Sequence, residues 1–384
     1  MTDSPLIFVI AGEPSGDVLG GRVMVALKEL TGGNIRFAGI GGESMRDQGL
    51  QSLFPMEELS IMGVAEILPH LPRLLRRIAE TARAVDAARP RALLTIDSPD
   101  FCRRVARRVH DRTIPRIHYV APTVWAWRPW RAKGFARDFT NLLALLPFEP
   151  AWFERVGLAC KFVGHPVVEG GAVGGDGSGF RARHGIAPDE KLICVLPGSR
   201  RGEVGRLAGD FGAALKILAA SRPNMRVVVP TVEGVAATVE GIAANWPGAP
   251  IVVRGGGRFD AMAASDVALA ASGTVALELA MARVPTVIAY RIAPITHALV
   301  RWMIRVDFAH LINIIEGREI VPELIQGDCQ PERLARELDR LLGPDGAAQV
   351  SALAPALEQL GLGGPPPSTR AAQAILDIIG AVGT

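Results

Sequence analysis

Asp266 to Glu278 reads DVALAASGTVALE. Asp266 to Ala270 is a short apolar run of strand character. Ser272-Gly273-Thr274 offers small residues and hydroxyls where a helix begins, and Ala276 to Ala282 is rich in helix formers. A strand, a small-residue turn and a helix start together make an anion site. The first N–H groups of the helix have no partner within it, and the helix dipole adds about 0.3–1 kcal/mol for a bound anion, rising to about 2 kcal/mol when partly buried. Glu278 falls one helical turn beyond Thr274, within reach of a sugar hydroxyl beside a bound phosphate. A helix cap without a ligand is the plainer reading of the same residues, and the rest of the chain weighs on the choice.

The strand–turn–helix unit recurs on both sides of this stretch. Leu192 to Leu196 runs into Pro197-Gly198-Ser199-Arg200-Arg201-Gly202-Glu203, and Met225 to Pro230, Pro250 to Val253 and Pro285 to Ala289 are further strands. Nearer the amino end, Leu6 to Ala11 leads into Gly12-Glu13-Pro14-Ser15-Gly16-Asp17 and a helix from Leu19 to Leu30. Arg36 to Ile40, Arg91 to Ile96, Ile114 to Val120, Asn141 to Pro147 and Phe162 to Pro166 continue the series. Such alternation predicts an α/β protein with a doubly wound parallel sheet in each half and a cleft between the halves. The first turn is neither a G-x-G-x-x-G fingerprint nor a P-loop, since it lacks the lysine. GGAVGGDGSG at Gly170–Gly179 reads as a linker, and Gly361 to Pro367 as a second break before a helix capped by Ser368. The expected division is a first domain at 1–168, a linker at 169–179, a second domain at 180–360 and a terminal helix within 361–384.

Composition narrows the function classes. The 384 residues exceed one typical domain, and a 49% hydrophobic content supports sizeable cores. A net charge of +3 does not by itself argue for nucleic acid. The four cysteines form no CxxC pair and the seven histidines no HExxH, so reduced thiols are expected rather than disulfides or zinc. No signal peptide and no run of 18 apolar residues is visible, so no membrane-spanning helix is expected.

Three stretches carry further chemistry. In Ile61 to Ile78, the residues Ile61, Val64, Leu68, Leu71, Leu75 and Ile78 repeat at helical spacing, with Arg73, Arg76 and Arg77 nearby. The stretch reads as a helix covering the sheet or as a basic, apolar surface resting on an anionic membrane, and Pro69 and Pro72 are expected to break or restart it. Asp97 falls at the carboxyl edge of the sheet, where open α/β folds keep their ligands, and is either a helix cap or a general base. Arg103, Arg104, Arg107 and Arg108 follow as a solvated face or an anion-attracting one. Trp125, Trp127 and Trp130 interleave with Arg128, Arg131 and Lys133 in a pattern that suits stacking on sugars or bases, but no RNA-binding signature accompanies them.

Several strings, in order, resemble the lipid-A-disaccharide synthase family. They are GEPSGD at Gly12–Asp17, IMGVAEIL at Ile61–Leu68, IDSPDF at Ile96–Phe101, HYVAPTVWAWR at His118–Arg128, LLPFE at Leu145–Glu149, VGHP at Val163–Pro166, LPGSR at Leu196–Arg200 and ASGTVALE at Ala271–Glu278. The resemblance runs nearly end to end. Ile312 stands where proline is usual before Asn313, and Glu43 where proline is common after Gly41-Gly42.

The resemblance implies a GT-B glycosyltransferase fold, two Rossmann-like domains facing across a cleft, with the last helix returning to the first domain. It implies transfer of 2,3-diacylglucosamine from its UDP derivative to 2,3-diacylglucosamine 1-phosphate (lipid X), giving a β-1,6-linked disaccharide 1-phosphate and UDP. The transfer inverts the anomeric centre, with no cofactor and no metal, on the cytoplasmic face of a bacterial inner membrane, by a peripheral protein and possible homodimer. Asp97 matches the family's proposed base; Glu13, Ser15, Asp17 and Asp100 are the rival bases or acceptor-side contacts. Ser199, Arg200, Ser272, Gly273 and Thr274 are expected at the diphosphate and Glu278 at the ribose. Arg291 and Ile292 are expected at the uracil, and Asn313 and Glu316 at the donor sugar or phosphate. Val64, Leu68, Leu71 and Leu75 are the expected membrane or acyl contacts. The alternatives are another GT-B enzyme of UDP-N-acetylglucosamine, whether transferase or 2-epimerase, and a non-catalytic nucleotide-sugar-binding protein.

Overall fold

The computed structural model describes residues 4–59, 64–292 and 306–380, without the side chains of 64–69. The chain divides into two compact units, Met1–Pro166 with Gly363–Thr384, and Val167–Leu362. Each is built on a six-stranded sheet whose recorded pairings are all parallel.

The first sheet comprises β1 (Leu6–Ala11), β2 (Arg36–Ile40), β3 (Ala92–Ile96), β4 (Arg116–Tyr119), β5 (Asn141–Ala144) and β6 (Ala159–Phe162), in the order β2-β1-β3-β4-β5-β6. The second comprises β7 (Leu192–Leu196), β8 (Arg226–Thr231), β9 (Ile251–Arg254), β10 (Val267–Ala271), β11 (Thr286–Tyr290) and β12 (Glu323–Ile325), in the order β12-β11-β10-β7-β8-β9. The central strands are buried on both faces, which is why Ile7 to Ile10, Leu192 to Val195 and Val267 to Ala271 read as unbroken apolar runs rather than alternating ones.

In each sheet the chain winds outward from one strand and then returns to that strand's other side. The reversals fall between β1 and β3 and between β7 and β10. A doubly wound sheet opens a crevice at this point, because neighbouring loops leave in opposite directions. Gly12–Asp17 and Asp97–Asp100 flank the first crevice, Pro197–Arg200 and Ser272–Thr274 the second.

The helix Pro367–Ile379 belongs to the first unit. Ala371, Ala372, Ile375 and Ile379 share its core with Val23 and Leu27 of the helix Pro14–Leu30. Arg91 donates to the Ile379 carbonyl at 3.0 Å, Arg370 to the Phe162 carbonyl at 3.1 Å, and Lys161 pairs with Asp377 at 3.2 Å.

Three sequence expectations need correction. The Gly-rich stretch is not a bare linker: it forms a turn at Ala172–Gly174 and the start of a helix at Gly177–Arg183. Any side chain at Gly175 or Gly177 would collide with the Phe259 or Ala263 carbonyl, so these glycines allow close approach rather than looseness. Pro69 and Pro72 do not break the Val64–Ala88 helix, which runs through both. Each proline forfeits a hydrogen bond, but the helix is 25 residues long and anchors Ile78, Ala82 and Val85 in the core. Finally, the arginine run is solvated only in part: Arg104, Arg107 and Arg108 are exposed, but Arg103 is half-buried, and Arg103 and Arg107 both pair with buried Asp138 at 2.7 Å.

Candidate functional site

In the second unit, a cavity of about 590 Å³ lies at the β7/β10 crevice, lined by Gly198, Ser199, Arg200, Ser272, Gly273, Thr274 and Glu278, among others. Two helices start here, and they differ. The helix Arg201–Ser221 carries its own anion: Glu203 Oε2 accepts from the Ser199 and Arg200 amides at 3.2 and 3.3 Å. The helix Thr274–Met281 has no side-chain cap, and Gly273 before it takes φ +152°, a conformation that favours glycine. The second helix start therefore presents its amides to the cavity, the arrangement that attracts a phosphate.

Arg200 is exposed, and its guanidinium lies 3.6 Å from Glu203. Glu278 is paired with Arg258 at 2.9 Å. Burial pushes the Glu278 carboxyl above its ordinary range, and the Arg258 guanidinium holds part of that rise back. Arg258, Glu233 and Thr231 also line the cavity, and the Thr231 hydroxyl is buried without a partner. These three escaped the sequence reading; the available signal for Arg258 was the Gly255-Gly256-Gly257 run directly after β9, and for Thr231 and Glu233 their place at the carboxyl end of β8.

The remaining donor-side candidates lie differently. Asn313 is fully buried and its amide is spent within its own loop. It donates to the Val321 carbonyl and Glu323 at 2.8 and 2.7 Å, and accepts from the Ile320 and Val321 amides at 2.8 and 3.0 Å. With both hydrogens and both lone pairs engaged, it braces the helix Leu311–Glu316 and leaves nothing for a sugar. Glu316 accepts from Gln359 at 3.0 Å. The Arg291 guanidinium turns inward, pairing with Asp210 at 3.2 Å and donating to the Cys329 carbonyl. Ile292 is half-buried. None of these four lines the cavity.

In the first unit a second cavity, of about 300 Å³, is lined by Asp97, Val120, Thr123, Trp127, Arg128 and Arg131, among others. Its floor is strained. Asp97, Ser98 and Val120 have φ of +54°, +43° and +81°, and left-handed backbone at a β-branched residue is a genuine outlier. Strain of this kind persists where packing enforces it, and it collects at ligand sites. The Asp97 carboxylate accepts from the Ser98 amide at 2.9 Å and the Ser15 hydroxyl at 3.4 Å.

Of the four carboxylates considered as base, Asp97 alone lines this cavity. Asp17 is 4% exposed and accepts from the Gly42, Ser44 and Met45 amides at 2.7, 2.9 and 3.2 Å. It caps the short helix Glu43–Arg46 and is withdrawn from solvent, which removes it as a rival base. Asp100 is exposed and paired with Arg131 at 2.8 Å. Glu13 is half-buried and accepts from the Ser98 hydroxyl at 3.4 Å.

The aromatic segment is divided in role. Trp125 is buried, its indole N–H donating to Glu149 at 3.1 Å. The Leu145 and Leu146 amides bind the same carboxylate, whose pKa burial pushes up to about 7. Trp127 faces the cavity, with Arg128 stacked 3.9 Å above its ring.

On the helix Val64–Ala88, Leu71 and Leu75 are 39% and 40% exposed, while Ile78 is buried. The side chains of Val64 and Leu68 lie outside the described residues, as do residues 60–63. Arg73 and Arg76 are exposed; Arg77 is engaged by Glu58 and Glu80 at 2.7 and 2.8 Å. Among the described residues no helix is long and apolar enough to cross a membrane.

The chain matches the family model described as lipid-A-disaccharide synthetase over residues 7–352. It is 58% identical to a lipid-A-disaccharide synthase of Rhodospirillum centenum, covering 97% of this chain and 94% of that one. It is 52% identical to that of Paramagnetospirillum magneticum, covering 97% of each. Among solved structures it resembles a UDP-GlcNAc 2-epimerase from Neisseria meningitidis bound to UDP-GlcNAc, with TM-score 0.63, 12% identity and coverage of 97% and 99%. It also resembles the glycotransferase of kitacinnamycin, with TM-score 0.61, 16% identity and coverage of 98% and 99%. At these identities the structural likeness speaks for the GT-B fold alone.

Proposed function

The chain belongs to the lipid-A-disaccharide synthase family, and from that premise we propose how its residues divide the reaction between them. It is a hexosyltransferase of lipid A biosynthesis. The donor is UDP-2,3-diacylglucosamine and the acceptor 2,3-diacylglucosamine 1-phosphate. Asp97 takes the proton of the acceptor's 6-hydroxyl. The hydroxyl oxygen bonds to the donor's anomeric carbon as the bond from that carbon to the diphosphate breaks, with inversion. UDP leaves carrying the electron pair.

Negative charge grows on the diphosphate as this happens. The amides of Ser272–Thr274 and the Arg200 guanidinium stabilise that charge without metal, and fixed donors of this kind need no reorganisation during the reaction. Glu278, oriented by Arg258, receives the ribose hydroxyls. The observation that carries this reading is the uncapped helix start at Gly273–Thr274, lining a cavity that also holds Arg200 and Glu278. Incubation of the full chain with both acylated substrates should give disaccharide and UDP, with the rate unchanged by EDTA. Turnover of UDP-N-acetylglucosamine in place of the acylated donor would overturn the reading.

Both substrates are lipids, so the protein works at a bilayer, on the cytoplasmic face of the inner membrane. Each acyl CH₂ left in lipid saves roughly 0.8 kcal/mol. The exposed Leu71 and Leu75, flanked by Arg73 and Arg76, support the helix Val64–Ala88 as the docking surface. Each leucine inserted contributes on the order of 1 kcal/mol, so Leu71→Ser with Leu75→Ser should weaken sedimentation with anionic vesicles about tenfold or more. Unchanged sedimentation would assign membrane contact to another surface.

A further inference from the structure

We propose that Arg128 recognises the phosphate of the acceptor and makes the enzyme selective for a phosphorylated sugar. The inference rests on the reading above, in which the acceptor is a sugar 1-phosphate taken up beside Asp97.

Two guanidinium groups line the Asp97 cavity, and they are not equivalent. Arg131 is neutralised by Asp100 at 2.8 Å. The Arg128 carbonyl accepts from the Arg131 amide at 3.0 Å, but its guanidinium has neither an ion pair nor a hydrogen-bond partner among the described residues. Arg128 is half-buried nonetheless, with its guanidinium carbon over the Trp127 ring, 3.9 Å from the ring centre. The indole N–H in turn donates to the Thr123 hydroxyl at 3.3 Å. A long cation on a solvated face gains little from being immobilised. Here an aromatic plane orders the fork while its N–H donors stay unspent, which is preorganisation for a planar, two-pronged anion contact.

A phosphomonoester fits that contact. Its dianion accepts two parallel N–H bonds from one guanidinium, and the partly dry cavity wall strengthens them. The acceptor carries its attacking hydroxyl on C6 and its phosphate on C1, which branch from the two carbons flanking the ring oxygen, so one cavity can meet both. A base and an unspent cation in the same cavity match that layout. Holding the phosphate also limits the poses in which the 6-hydroxyl reaches Asp97, so Arg128 acts in orientation as well as affinity.

The test uses the full chain, the phosphorylated acceptor and the same acceptor without its phosphate. Wild type should prefer the phosphorylated form in kcat/KM. Arg128→Gln should shrink that preference about 30-fold or more, the range seen when one partner of a desolvated charge pair is removed. Its KM for the UDP-sugar should stay within about twofold of wild type, and Arg128→Lys should recover part of the preference. Equal losses on both acceptors would mean that Arg128 is only structural. A rise in donor KM with the preference intact would assign it to the diphosphate instead. Either result overturns the inference while leaving the reaction standing. Absence of disaccharide from folded wild type with both acceptors would remove the premise and the inference together.

Discussion

Replacing Asp97 by asparagine lowers kcat by roughly 10²–10⁴, the contribution of a positioned base, while the melting temperature stays within a few degrees of wild type. Asparagine is the informative substitution. Asp97 sits at φ +54°, and asparagine tolerates left-handed backbone where alanine does not, so an alanine variant would confuse lost chemistry with added strain. The carboxamide oxygen can still accept from the Ser98 amide, which preserves the local turn. Only the capacity to take a proton is removed. The measurement is steady-state turnover at saturating substrates beside a thermal melt. Full activity in the folded variant would move the base to Glu13, whose carboxylate is bonded to the same Ser98.

Asp17→Ala produces the opposite pattern: a large loss of stability rather than of chemistry. Three amides converge on this buried carboxylate, and alanine leaves all of them without a partner. Each orphaned donor costs roughly 1–3 kcal/mol, so a total of about 3 kcal/mol or more is expected. In a unit of this size that is a fall of roughly 10 °C in Tm. A calorimetric scan checks it, with turnover read well below the transition. An unchanged Tm with abolished turnover would return Asp17 to the list of candidate bases.

The contrast between these two aspartates shows what can be read from sequence. Asp97 stands directly after β3 and Asp17 in the first turn of the helix that follows β1, and the strand–turn–helix alternation placed both near the carboxyl edge of one sheet. The path of the crossovers then brought the Gly12 and Asp97 loops together, and likewise the Ser199 and Ser272 loops. Strand character and turn chemistry are local, so the architecture and the short strings were legible. What separates Asp17 from Asp97 is burial by Gly42–Met45, a contact set by tertiary packing. The same limit hid the pairing of Arg258 with Glu278 and the saturated amide of Asn313. Gly175 and Gly177 misled for a related reason: glycine chosen for close approach looks the same as glycine chosen for freedom. Pro69 and Pro72 misled because a rule about helix interiors does not count the packing that outweighs two missing hydrogen bonds.

The helix Pro367–Ile379 has a consequence for how the chain is made. Its apolar face completes the core around Val23 and Leu27, yet the whole of Val167–Leu362 is translated between that core and this helix. The second unit is continuous, so a growing chain can finish it as soon as it leaves the ribosome. The first unit emerges earlier and must wait, with an apolar groove uncovered, for the length of time that the other takes to synthesise. A nascent chain arrested anywhere within the second unit therefore displays an unfinished first one, a ready signal for chaperones and proteases that the completed protein does not carry.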